Sequence, residues 1–587
     1  MLFNSIIFSM QGLLFYYALS HSIRKLFLGS GKMRDMMRTM KELLCFILAC
    51  FALLSSSACD GNRGKLSGGT GVASAASIFT QNNTVESQWN PTTDYSKKVS
   101  LTLATPQTID GYDYTAGDGY AGFYSDKFNY DITVITIAMD NWDERLRIWI
   151  NSGDMPDICV YDYKRSDAAG YVEQKLLKKL PEDWKNRWPN LAGVFDKTSL
   201  GPEMERRFHG AYFIPRARFV DNLPGDPLPD HFSFYMRRDW ALAVGFPIRS
   251  TYTTSEIIQF GRLIKEKDPG RAGNELIPIT ESTISAVGLF VQSNSTHYRS
   301  FYKDKEGKYK WGAASEDTLK GLKLFREAYT SKVLNQQFYT DKTDQELEHF
   351  FAQAVAGGCY GAAATPFLCY VFDYFKPKTG TAANEYVNVA TVLGEDGHYH
   401  QEDLINFWGA TIFNPDIDND KFERYMDMLD YNCTTEGMLQ TNIGFKDVDW
   451  AYDGNDKYKL LLSPDQARFG TAGKYPSLGS HTLGVAILSD DFAFDNPNYT
   501  KESRMYSKQL YAERCKLATA DSFTKTDWDL YCYDSPNMRK ASIDYNMELA
   551  NLVTMDGDIE ANWRKWIKSK MPIVQPVLDE LNTKLTR

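Results

Sequence analysis

Residues 131–163, DITVITIAMDNWDERLRIWINSGDMPDICVYDY, restrict this chain more than any other stretch. Ile132, Val134, Ile135 and Ile137 are apolar and β-branched over a short run, the pattern of a strand buried on both faces. Asn141 or Asp143 can cap a following helix in which Leu146, Trp149 and Ile150 fall at helical spacing. Ser152-Gly153-Asp154-Met155-Pro156 ends that helix, because glycine turns the chain and proline does not extend it. Residues 157–161 then start a second short strand. A crossover of this length predicts two parallel, neighbouring strands with a right-handed connection. Asp162, Tyr163, Lys164 and Arg165 follow at the carboxyl end of the second strand, the edge where open parallel sheets bind ligands.

A chain of 587 residues exceeds one ordinary core and is expected to split into at least two lobes. The formal charge is −10; residues 1–58 carry six Lys or Arg against two Asp or Glu, so the remainder carries −14. That balance argues against a nucleic-acid partner, which needs a basic face, and serves solubility instead.

The N-terminus reads as an address. Lys32, Arg34, Arg38 and Lys41 precede LLCFILACFALL at 43–54, an apolar run of signal-peptide length. It falls short of the roughly 20 residues that span a bilayer. Ser55-Ser56-Ser57-Ala58-Cys59 resembles a bacterial lipobox, with Ser56 where that pattern has Leu, so Cys59 is the expected lipid site. Cys50 suits the role less well, since the apolar run continues past it. Residues 1–31 precede Met33, Met36, Met37 and Met40, among which a later start is expected. Residues 59–98 are rich in Gly, Ser, Thr, Asn and Ala and predict a flexible tether, with order beginning at the strand VSLTLA from Val99.

Several motifs occur in a fixed order: SGDMPDI at 152–158, GYVEQKLL at 170–177, RFHGAYFIPR at 207–216 and FYMRRDWALAVGF at 234–246. GEDG at 394–397 follows them. In this order the chain resembles bacterial extracellular solute-binding proteins, family 1, the receptor lipoproteins of carbohydrate ABC importers. The resemblance implies an α/β, two-lobe periplasmic-binding-protein-like fold (type II), each lobe a sheet flanked by helices, with a hinge. The first lobe is expected over 99–215 and about 388–435, the second over 216–387 and about 436–587. It also implies a monomer held outside the cytoplasm by a lipid anchor, with a carbohydrate ligand, ABC permease subunits as partners and no cofactor.

Relatives carry an Asp/Asn-rich loop resembling an EF-hand after the helix expected here at 257–267, which Thr253-Thr254-Ser255-Glu256 would cap. Calcium takes six to eight closely spaced oxygens. Here Arg271 and Ala272 stand where oxygens are wanted, leaving Asp268, Asn274 and Glu275, so no metal is expected. Asp416, Asp418 and Asp420 predict a cap for a helix over 421–431. Further helices are expected over 316–330, 559–570 and 573–585. Cys159, Cys359, Cys369, Cys433, Cys515 and Cys532 form no disulfide framework, and a Cys515–Cys532 pair stays open. His398 and His400 fit either an exposed loop or one face of a metal site. GxSxG, HExxH and P-loop motifs are absent from the sequence.

Two function classes remain. One is a binding protein that closes two lobes on a sugar; the other is a secreted glycoside hydrolase, which needs two carboxylates about 5–10 Å apart. Aromatic content of 14% suits both. For the binding site the expected residues are Trp142, Tyr161, Asp162, Tyr163, Arg216, Arg218, Phe367 and Trp408. Phe367 lies where sugar-binding relatives place an aromatic, and Trp142 is expected outside the core. Core packing is the competing role for each ring, and an ion pair across the hinge for each arginine.

Overall fold

The computed structural model describes residues 89, 91, 94–106, 118–137, 142–163, 165–219, 228–341, 349–350, 354–369, 371–372, 385–454, 457–463, 474–475, 477, 492–519 and 522–585. Cys59 and most of the expected tether lie outside them. No helix among the described residues is long and apolar enough to cross a membrane.

Ten strands build two five-stranded sheets. In chain order they are β1 (Val99–Thr105), β2 (Tyr130–Thr136), β3 (Ile158–Tyr161), β4 (Ile214–Ala217), β5 (Phe232–Arg237), β6 (Thr251–Thr253), β7 (Ile277–Ile279), β8 (Ala356–Ala362), β9 (Val387–Leu393) and β10 (Phe407–Phe413). The sheet orders are β2-β1-β3-β10-β4 and β6-β9-β5-β8-β7. The first sheet lies in the compact unit whose described residues fall within 89–219 and 405–505. The second lies in the unit that holds Pro227–Leu404 and Tyr506–Arg587.

In the first unit β1 runs parallel to both β2 and β3, with Leu103 opposite Val134 on one side and Ile158 on the other. The strands flanking the helix Trp142–Ser152 are therefore parallel, as expected, but not neighbours, because β1 is inserted between them. That leaves β2 at the sheet edge, where Asp131, Thr133 and Thr136 are exposed, so it is not buried on both faces. β10 runs antiparallel to β3 and β4, pairing Ala410 with Tyr161 and with Pro215. Leu101 and Leu103 pack with Tyr120, Tyr124 and Phe128 and with Phe422, Met426 and Leu429 of the helix Asn419–Asn432.

That same helix binds the chain's approach to β1. Arg424, 1% exposed, donates through Nη1 to the Phe128 and Asn129 carbonyls and through Nη2 to those of Asp94 and Lys97. The Asp427 carboxylate accepts from Trp188 Nε1 and from the Tyr95 hydroxyl, each at 2.7 Å. Its carbonyl accepts from Trp89 Nε1 at 3.1 Å. Trp89 and Tyr95 thus belong to the body, which corrects the expected tether boundary at 98.

The second unit centres on β5, antiparallel to both β8 and β9. Its core adds the helices Thr254–Lys267, Glu316–Thr330 and Ile559–Lys584. Thr253 and Glu256 form the expected capping box. The last helix is continuous through Pro572 and Pro576, where two helices were expected. Each proline forfeits one helical hydrogen bond, and the buried Val574, Val577 and Leu581 hold the helix in place.

The unit boundaries differ from the expected lobes. β9 bonds to β5 and β6, so the chain returns to the first unit only at Ile405. Residues 436–505 stay in the first unit, and the helix Lys501–Leu517 runs through the last boundary. No disulfide joins any two of the six described cysteines, so Cys515 and Cys532 are not paired with each other.

Candidate functional site

Trp142 opens the helix Trp142–Ser152 and donates its indole N–H to the Val160 carbonyl of β3 at 2.7 Å. It is 2% exposed, so the expectation that it lies outside the core is not met. Its ring centre is 5.6 Å from that of Trp408, a half-buried residue of β10. From β4, the Arg216 guanidinium carbon lies 5.5 Å from the Trp408 ring centre. Burial pushes Arg216 down to about 10, which still leaves it charged at neutral pH. A cation held against an indole away from water gains more than it would at the surface.

The local backbone makes this cluster. Pairing of β10 with β4 shifts register between Phe407 and Ala410, a bulge that re-aims the intervening side chains. Gly409 sits there at φ 68, a left-handed conformation that glycine adopts without cost. A Cβ at that point would meet Val160 at 3.4 Å and Trp142 at 3.8 Å, ordinary contacts, so the backbone rather than space calls for glycine.

Tyr161 and Tyr163 form a neighbouring aromatic group around Phe213, with ring centres 5.8 Å and 5.1 Å from it. Tyr163 also donates its hydroxyl to Met204 Sδ. Asp162, between them, is buried. Arg218 is half-buried and donates its backbone N–H to the Asn406 carbonyl. The structure therefore brings Trp142, Arg216 and Trp408 into contact and sets Tyr161 and Tyr163 together. Phe367 belongs to the other unit, where its half-buried ring lies parallel to His231 at 6.2 Å.

The loop after the helix Thr254–Lys267 does not fit a calcium ion. Asp268, at φ 38, turns both carboxylate oxygens inward to the backbone N–H groups of Ala272 and Gly273 at 2.9 Å and 2.8 Å. Arg271, Asn274 and Glu275 are exposed. Gly270 lies on Trp240 so closely that a Cβ would come within 2.0 Å of the indole. The loop closes on itself through the oxygens a cation would use. His398 and His400 both approach Asp396, His400 Nε2 at 2.9 Å and His398 Nδ1 at 3.5 Å. Among the described residues no three His, Cys, Asp or Glu side chains converge as a metal site.

A recess in the second unit falls outside the expected residues. Gln292, Thr296, Tyr298, Arg299, Gln401 and Glu402 line it. They lie on two irregular segments about a hundred residues apart, where neither helix nor strand periodicity gives a signal; the polar run Ser293-Asn294-Ser295-Thr296-His297 is the one local hint.

The scaffold is two α/β units, each built on a five-stranded sheet, and Trp142, Arg216 and Trp408 meet on the first of them. No protein-family model matches the chain, and no curated protein does. Solved structures do. Alginate-binding protein AlgQ2 without calcium ion matches over 85% of this chain and 100% of its own, at 16% identity and a TM-score of 0.60. The ABC-transporter substrate-binding protein FusA of Streptococcus pneumoniae, in complex with kestose, matches over 84% and 99%, at 16% identity and 0.55. An HMO-binding, ABC-transporter-associated solute-binding protein from Bifidobacterium longum infantis matches over 83% and 98%, at 15% identity and 0.58. The chain has the type II periplasmic-binding-protein-like fold of these structures, as its sequence resemblance implied.

Proposed function

We propose that this protein captures a carbohydrate, an oligosaccharide, outside the cytoplasm and delivers it to an ABC import permease. The observation that carries the reading is the fold, shared over nearly the full length of three proteins named for binding sugars or serving ABC transporters. The contact of Trp142, Trp408 and Arg216 supports it, since sugars are held by aromatic faces against their C–H surfaces and by charged or amide groups at their hydroxyls. Tyr161, Asp162, Tyr163, Arg218 and Phe367 are the further proposed contacts. A hydrolase would use two carboxylates, and Asp162 is the one carboxylate among these eight residues.

Cys59 is the proposed lipid anchor, and Cys59→Ser is expected to move the protein from the membrane fraction to the soluble one. Thermal shift across neutral and uronate oligosaccharides tests the main reading, because a ligand bound only by the native state raises the melting temperature. The expected result is a rise with at least one oligosaccharide and no new reducing ends on prolonged incubation. New reducing ends would move the protein to the hydrolase class.

A further inference from the structure

In the second sheet β8 runs parallel to β7 and β9 parallel to β6, while β5 runs against both β8 and β9. The start of β5 therefore lies at the carboxyl edge of the other four strands, the edge where open α/β sheets bind ligands. Phe232, which opens β5, stands opposite Ala362, which ends β8. Asp230 and His231, just before β5, are thereby brought to the chain that leaves β8. The His231 carbonyl accepts the Ala363 N–H at 2.8 Å, and the His231 ring lies parallel to that of Phe367.

A series of rings leads outward from the core at this edge. Tyr360 of β8 is buried, and its centre is 5.8 Å from that of Phe232. Phe232 is 5.2 Å from His231 at an interplanar angle of 18°, and His231 is 6.2 Å from Phe367 at 13°. Phe232, His231 and Phe367 are all half-buried, so the series ends at solvent. Both ends of the pair are fixed. Asp230 Oδ1 accepts the Phe232 N–H at 3.0 Å and the Tyr399 hydroxyl at 3.3 Å, which sets the entry into β5. Phe367 stands in the helical residues 365–369, where the Thr365 hydroxyl donates to Ser507 Oγ at 3.0 Å and Leu368 is wholly buried. Two aromatic neighbours thus define the plane of the imidazole, and both of its nitrogens act in that plane, at the ring edge.

We propose that His231 is a specificity-determining contact for the bound oligosaccharide: one sugar unit lies on the Phe367 face, and the imidazole edge hydrogen-bonds a hydroxyl of that unit. This rests on the carbohydrate reading above and adds a residue to its eight proposed contacts. A sugar stacked on an aromatic ring sets its C–H surface on the ring and projects its hydroxyls past the rim. A group centred 6.2 Å from the Phe367 centre stands at that rim, where it meets hydroxyls. Imidazole offers one donor and one acceptor there when neutral, so it suits a hydroxyl, which is both. Its ring is already held parallel to Phe367, so little side-chain freedom is lost on binding.

Calorimetry of the full chain with kestose, maltotriose, mannotriose and trigalacturonate tests this, using the native protein, His231→Phe and His231→Gln, with a melt of each empty form. His231→Phe keeps an aromatic ring in the series and removes both nitrogens; His231→Gln keeps a donor and an acceptor and removes the ring. The expected result is a loss of about tenfold in affinity for His231→Phe with an unchanged melting midpoint, and a smaller loss for His231→Gln. Unchanged affinity in His231→Phe, with native binding intact, overturns the hydroxyl contact and leaves the carbohydrate reading standing. A fall in affinity that tracks a lowered melting midpoint in both variants also overturns it, making His231 a packing residue. Native protein that binds none of the four sugars overturns both readings.

Discussion

The Arg216 guanidinium lies over the Trp408 ring at 5.5 Å, and that ring in turn lies 5.6 Å from Trp142. These three residues come from different elements, two strands and a helix start, so the contact is a product of the sheet order rather than of local sequence. Their burial is graded: Arg216 and Trp142 are enclosed, and Trp408 is half-buried. Trp408 is therefore the member of the three that reaches solvent. Trp408→Ala is expected to weaken oligosaccharide binding roughly tenfold or more, the worth of an aromatic face on a sugar ring. Calorimetry with a sugar found by thermal shift checks it, and unchanged affinity removes Trp408 from the site.

Trp142→Ala behaves differently. The indole is 2% exposed and bonded to the Val160 carbonyl, so its loss leaves a cavity and an unsatisfied buried acceptor. A cost of about 3–5 kcal/mol in folding stability is expected. A urea melt of the empty protein measures it directly. Any fall in affinity for this variant is read against the folded fraction, and an unchanged melt would put Trp142 at a free surface.

The strap of residues 94–97, with the Trp89 contact ahead of it, predicts a sharp boundary for truncation. Removing residues 1–58, with Cys59→Ser, or removing residues 1–88 should leave the melting midpoint where it is. Removing residues 1–98 takes away the Trp89 and Tyr95 bonds to Asp427 and two of the carbonyls that Arg424 reaches. A buried carboxylate and a buried guanidinium are then left short of partners, at a cost of about 2–5 kcal/mol. Equal midpoints for the last two truncations would show that the strap rests on the helix without holding it.

Local signals in the sequence were read well and pairings at a distance were not, for a physical reason. The capping box at Thr253 and Glu256, the Ser152–Pro156 stop and the helix Glu316–Thr330 depend on residues within one or two turns. The insertion of β1 between β2 and β3 leaves no mark in 131–163, because a parallel strand accepts any apolar neighbour. Val387–Leu393 likewise reads as a strand, while its place between β5 and β6 is decided by partners 130 or more residues away in the chain. Trp89 and Tyr95 sit in a polar, tether-like run, and only Arg424 and Asp427 reveal them as part of the body. Of the candidate residues, Trp142, at a helix start, and Arg216 and Trp408, on strands, were singled out in the sequence, and their contact comes from the sheet order. The recess around Arg299 and Glu402 was not legible, because it joins two irregular segments.

The self-closed loop at Asp268 predicts indifference to cations. Adding a chelator should leave the melting temperature unchanged, since both carboxylate oxygens already accept backbone N–H groups. Asp268→Asn keeps an acceptor at one oxygen and tolerates the left-handed backbone, so it should cost about 0.5–1.5 kcal/mol with or without chelator. A large drop on chelation of the native protein would place a cation in this loop after all.

Where the chain enters the first unit, Ile405 and Asn406 stand in the left-handed region at φ 58 and φ 51. Asn406 secures them by bracketing one residue: its Oδ1 accepts the Phe219 N–H at 2.8 Å and its Nδ2 donates to the Phe219 carbonyl at 2.9 Å. Asn406→Gly keeps the backbone freedom and loses both bonds, whereas Asn406→Ala loses them and adds a Cβ in a conformation L residues resist. Loss of the bracket leaves a buried donor and acceptor and should cost about 2–4 kcal/mol in either variant. The alanine variant should fall about 1 kcal/mol below the glycine one, the strain of a left-handed alanine set against the freedom glycine gains when unfolded. Denaturant melts of the two variants and the native chain separate these contributions. A glycine variant as stable as the native protein would show that the bracket contributes nothing, and that the left-handed pair is held by the sheet alone.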